Sequence, residues 1–171
     1  MTFRGLPAHP LLVHAVVIGL PLVALAVVLA AVWPAARRRL GLVTPVAALV
    51  VVALVPLTVS AGRDLLRAVG GPNPAISAHA RAGSTLLPWA IGLFVVALAV
   101  WLVGRRADAG VRPLVDAGLG AAATRTGTRT TNAVRVLTVA VAVVAVAIAV
   151  LATWQVVEIG ESGARAVWGG A

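Results

Sequence analysis

Leu11–Val32 reads LLVHAVVIGLPLVALAVVLAAV, an apolar run free of formal charge and interrupted only by His14, Gly19 and Pro21. At 1.5 Å per residue it makes a helix of about 33 Å, enough to cross the ~30 Å hydrocarbon layer of a bilayer. Trp33 and the triplet Arg37, Arg38, Arg39 follow it. A cleavable signal peptide places its charge before a shorter apolar core; here the charge comes after, so the run is expected to stay in the chain as a span.

Three more runs of this kind lie downstream, Leu42–Val59 with Pro45 and Pro56, Leu86–Val103, and Val136–Val157. Proline is tolerated in membrane helices where neighbours satisfy the freed carbonyl. The last run contains VAVAVVAVAIAV (139–150), whose alternation superficially resembles a strand. A barrel strand would be about 10 residues long and would alternate apolar with polar; both faces here are apolar, which makes it a helix. Within it Ala145 and Ala149 form a small-xxx-small pair that lets a neighbouring helix approach closely.

The expected fold is therefore all-α, an integral membrane four-helix bundle forming one domain over residues 1–171. Composition agrees: 61% of residues are hydrophobic, 11% are charged and mean hydropathy is +1.04, a balance no soluble domain holds. Segment 104–135, which contains the polar run TRTGTRTTN (124–132), reads as a solvated, flexible linker. No internal repeat is apparent in the sequence.

The formal charge of +9 first suggests nucleic acid. The arginines, however, sit in short runs between apolar segments, the distribution of topology signals and anionic-lipid contacts, so no nucleic-acid partner is expected. Arg37, Arg38, Arg39, Arg105, Arg106, Arg112, Arg125, Arg129 and Arg135 fall in or beside the first and third loops; Arg4, Arg63, Arg67, Arg81 and Arg165 fall elsewhere. The positive-inside rule then places those two loops in the cytoplasm and both termini outside, in a multi-pass protein of the bacterial inner membrane. Trp33 and Trp101 belong near the inner interface and Trp89 and Trp154 near the outer one.

There is no cysteine, so thiolate metal sites and disulfides are excluded, and His and carboxylate remain as the strong metal ligands. No phosphate-binding glycine loop, zinc-protease motif or nucleophile elbow occurs, and nothing identifies an enzyme. No Asp or Glu lies inside a span, which disfavours an ion-coupled carrier. His14 is the one ionisable residue within a span, four residues past Pro10, with His9 just before that helix start. Such a residue is either a site or a histidine bonded to a carbonyl of the next helix. Asn73-Pro74 reads as the start of a helix that runs on into the third span, with His79 above the membrane boundary. His9, His14 and His79 then share one end of the bundle with Asp64, Arg67, Glu158, Glu161 and Arg165. Asp64 with Arg67 and Glu161 with Arg165 have the spacing of ordinary i,i+3 and i,i+4 ion pairs.

The segments LPAHPLLVH (6–14), AGRDLL (61–66), ISAHARAG (76–83) and GESGARAVWGG (160–170) resemble, in order and across all four spans, the bacterial membrane-protein family catalogued as domain of unknown function 2231. The resemblance points to His9, Pro10 and His14, to Asp64 and to His79. Members often carry a histidine where this chain has Glu161. The family implies no activity.

Three functions follow as expectations. The first is a non-catalytic membrane component whose histidine end docks a partner or stabilises the bundle. The second is a redox protein with haem b ligated by His14 and His79, where Gly83, one turn from His79, leaves room for a porphyrin edge. The third is a transition-metal site drawing on His9, His14, His79, Asp64 and Glu161.

Overall fold

A computed structural model describes residues 2–3, 6–68, 74–116 and 127–168. A minimal antiparallel hairpin, β1 (Thr2–Phe3) and β2 (Leu6–Pro7), precedes six helices. These are α1 (Ala8–Val32), α2 (Pro34–Leu40), α3 (Val43–Ala68), α4 (Pro74–Ser84), α5 (Leu86–Asp116) and α6 (Gly127–Trp168). Four rods are long and apolar enough to cross a membrane: Ala8–Val32, Val43–Ala68, Pro74–Arg106 and Asn132–Arg165.

Local chemistry sets the ends. Trp33 precedes Pro34 and is held extended at φ −122° and ψ 104°, which stops α1 and lets Pro34 open α2 at the position where its missing N–H costs nothing. Gly41, at φ +45°, ends α2 with its N–H on the Arg37 carbonyl. The rod expected to run unbroken from Pro74 into the third span is interrupted at Thr85. Pro88 is the reason: it has no N–H for the Ser84 carbonyl, and its ring crowds that group.

Helix occupies the two flanks of the expected linker 104–135. Gly104–Asp116 continues α5, carried past the apolar edge by good helix formers such as Arg105, Arg106 and Ala107. Gly127–Asn132 opens α6, since extending an established helix fixes one residue per hydrogen bond gained. Segment 117–126 with Arg125, and also Arg4 and Asn73, lie outside the described residues.

The spans form a square in which α1 packs on α3 and α6, and α5 packs on the same two, with α1 and α5 on a diagonal. One core runs its length, with Leu20, Val27 and Leu93 fully buried. Ala145, Ala149 and Ala152 are all buried, so the small-residue stripe of α6 does face its neighbours. The perimeter is apolar: Ile18, Leu22, Leu25, Val143 and Val150 are all more than half exposed. So continuous an apolar surface belongs in lipid.

The bundle contains a repeat that the sequence conceals. Buried Val16, Leu20, Val23, Val27 and Ala30 of α1 correspond to buried Leu86, Ala90, Leu93, Ala97 and Val100 of α5, each 70 positions later. Buried Thr44, Ala48, Val51 and Val55 of α3 correspond to buried Ala145, Ala149, Ala152 and Val156 of α6, each 101 positions later. Exchanging α1 with α5 and α3 with α6 preserves every neighbour relation in the square. The two helix pairs thus bury several positions in matching register and make matching neighbour contacts.

Candidate functional site

The first and last turns of the spans on one side bring the polar residues together. His9, at the start of α1, lies on the same face as buried Val16 and Leu20, so its ring turns inward onto α3. There Nδ1 is 3.0 Å from the carbonyl of Thr58. A carbonyl only accepts, which assigns the proton to Nδ1 and leaves Nε2 uncommitted. The ring rests on Gly62, where an added Cβ would stand 2.9 Å from Cε1.

His79 of α4 repeats this on α6. Its Nδ1 is 3.0 Å from Ser162 Oγ, while the Ser162 hydroxyl donates to the Ile159 carbonyl at 2.7 Å. The serine proton being engaged, Nδ1–H donates to the serine oxygen and Nε2 is again left over. The ring rests on Gly163, where a Cβ would stand 3.0 Å from Cε1. His79 follows His9 by the 70 positions of the α1/α5 repeat, and Gly163 and Ile159 follow Gly62 and Thr58 by the 101 positions of the α3/α6 repeat.

His14 is placed differently from the expectation that paired it with His79. Five residues past His9, it is turned about 140° around the helix. It is exposed on the stripe that carries Leu11, Ile18 and Leu25, and its Nδ1 bonds the Pro10 carbonyl of its own helix at 2.7 Å. It therefore bridges no helices through that bond, and the ring nearest in character to His79 is His9.

The remaining expected residues form ordinary pairs. Arg67 meets Asp64 at 3.2 Å and Arg165 meets Glu161 at 3.4 Å, both along single helices and largely exposed. Among the described residues no group of three or more His, Asp or Glu side chains is placed to hold a metal ion. The five-residue ligand set His9, His14, His79, Asp64 and Glu161 is accordingly not assembled.

Sequence reasoning missed Thr58, Gly62, Ser162 and Gly163, the seats of the two rings. It also missed Gln155, whose Nε2 donates to Thr85 Oγ1 at 2.8 Å, joining α6 to the break before α5. The signal was present in the segments Ala61-Gly62-Arg63 and Ser162-Gly163-Ala164, each ending a span beside a small residue, but it needed the repeat register to be read.

An apolar groove of about 410 Å³ between α1 and α6, with Pro21, Leu25, Ala149 and Trp154 in its walls, carries no ionisable group. Compared with protein-family models, curated proteins and solved structures, the chain matches none.

Proposed function

We propose that this chain is a non-catalytic, multi-pass component of the bacterial inner membrane whose histidine end holds a single metal centre, the iron of a haem b, between His9 and His79. The observation that carries the proposal is the matched placement of the two rings. Nδ1 of each lies 3.0 Å from an oxygen on the neighbouring helix, and with the proton placed on Nδ1 the other nitrogen holds the lone pair through which imidazole ligates a metal.

The number of ligands favours haem over a bare ion. A bare zinc or copper ion takes three or four protein ligands, whereas porphyrin supplies four nitrogens and asks the protein for two. Two imidazoles are a complete set for haem. Space at Gly83 supports the reading, since a Cβ there would meet nothing within 4 Å. When bound, the group would supply one-electron exchange. The protein's part is to orient two imidazoles from opposite halves of the repeat and to keep their proton inventory fixed.

This reading goes with both termini outside, with cytoplasmic arginine loops against anionic headgroups, and with membership of the family that the opening His-Pro motif resembles. A second reading has its own support: each ring joins two helices, His9 tying α1 to α3 and His79 tying α4 to α6, so the pair can serve purely as interhelical anchors.

The deciding experiment is expression with haem supplementation, followed by absorbance of the purified protein. A Soret band lost in both His9→Ala and His79→Ala but kept in His14→Ala is expected. A colourless, iron-free wild type overturns the haem reading and leaves the anchors, whose own mark is a lower unfolding midpoint in His9→Ala and His79→Ala.

A further inference from the structure

At the opposite end of the bundle one arginine is treated differently from its neighbours. Arg38 and Arg39 of α2 are exposed, but Arg37 folds back against α5. Its Cδ and Nε occupy the space that a side chain at position 104 would need, which only Gly104 leaves open. Nε is buried and has no hydrogen-bond partner among the described residues. Beside it lies a cavity of about 10 Å³ bounded by Gly104, Thr138, Val141 and Ala142, room for one oxygen-sized atom.

A buried, unpaired donor on a permanent cation is costly. The carboxylates whose side chains the structure describes, Asp64, Glu158 and Glu161, are all at the histidine end. Around the seat stand more cations: Arg38, Arg39 and Arg106, with Arg105 stacked over Trp101 at 4.9 Å from the ring centre. Their level matters, because α1 ends at Val32 and the apolar part of α5 near Val103, placing the guanidinium where lipid phosphates lie.

We infer that Arg37, seated on Gly104, is a specific binding site for the phosphate of an anionic phospholipid headgroup, one oxygen entering the cavity beside Nε. A phosphodiester supplies adjacent acceptor oxygens that match the guanidinium fork, and a net negative lipid answers the surrounding arginines. The inference rests on the membrane-spanning reading but not on haem.

Full-length protein in neutral detergent, titrated with phosphatidylglycerol, phosphatidylcholine or inorganic phosphate and read by native mass spectrometry, tests it. Arg37→Lys keeps the charge and loses Nε and the fork; Gly104→Ala pushes Arg37 off its seat; Arg38→Gln removes an exposed charge. Phosphatidylglycerol retention should fall about tenfold in the first two, equivalent to about 1.4 kcal/mol, and by less than about twofold in Arg38→Gln. Equal retention of phosphatidylcholine by the wild type overturns the site. So does equal loss in Arg38→Gln and Arg37→Lys, which marks diffuse attraction, or displacement of the lipid by equimolar inorganic phosphate, which marks a free-anion site. Should Gly104→Ala not fold, Arg37→Lys decides alone. Failure of the membrane reading would show separately, as protein that stays monodisperse without detergent.

Discussion

His79 is the counterpart of His9 in the second half of the chain: each lies before the apolar part of its rod, each donates Nδ1–H across to the neighbouring helix, and each is seated on a glycine, Gly163 and Gly62 respectively. Two unrelated interfacial histidines would have no cause to share seat, tautomer and repeat register. The correspondence ties the site to the matching register of the two helix pairs and makes its two halves testable against each other.

Gly62→Ala and Gly163→Ala should have matching effects. In each case the new Cβ would stand 2.9 or 3.0 Å from an imidazole carbon, so the ring must give way by a few tenths of an ångström. A cost of about 1–3 kcal/mol is expected from crowding of this kind. Unfolding in mixed micelles measures it. A loss in one variant and none in the other would break the claimed equivalence.

His9→Ala and His14→Ala should separate. Removing His9 deletes the bond to the Thr58 carbonyl between helices, worth on the order of 0.6 kcal/mol and up to about 1.7 in membrane bundles. His14 bonds its own helix and faces outward, so His14→Ala should leave the midpoint within about 0.5 kcal/mol of wild type. A larger loss for His14→Ala would reassign the inner ring.

Thr44 is 4% exposed, its Oγ1 has no partner among the described residues, and its counterpart in register is Ala145. Thr44→Val keeps the shape and removes only the unsatisfied hydroxyl, so the bundle should gain about 1 kcal/mol. Destabilisation by a similar amount would show that the hydroxyl has a partner in the membrane.

Gln155 and Thr85 hold α6 to the break before α5 through a 2.8 Å bond. A double-mutant cycle with Gln155→Leu and Thr85→Val should give a coupling of about 0.5–1.5 kcal/mol. Additive effects would mean that the bond is not formed in solution.

Glu161→Gln should change stability by less than about 0.5 kcal/mol, because the Glu161–Arg165 pair is 62% and 70% exposed. It should also leave any chromophore at the histidine pair untouched. Loss of colour in this variant would return Glu161 to the site.

What sequence alone determined here is whatever depends on how far apolar residues run without charge. Length and hydropathy decide that four segments prefer lipid, and Pro74 marks where a helix starts, because these are one-dimensional properties of the chain. Even the ion pairs Asp64–Arg67 and Glu161–Arg165 follow from helical spacing.

What only the tertiary structure decided is which residues face one another. In the aligned halves almost every apolar residue differs, since lipid and core both accept Val, Ala and Leu alike, so hydrophobicity carries no register and the repeat stays invisible. The choice of His9 over His14 turns on about 140° of helix rotation, fixed by where α3 packs against α1. The seats at Gly62, Gly163 and Gly104 are likewise properties of helix pairs: a missing Cβ acquires meaning only when a ring or a guanidinium from another helix fills its place.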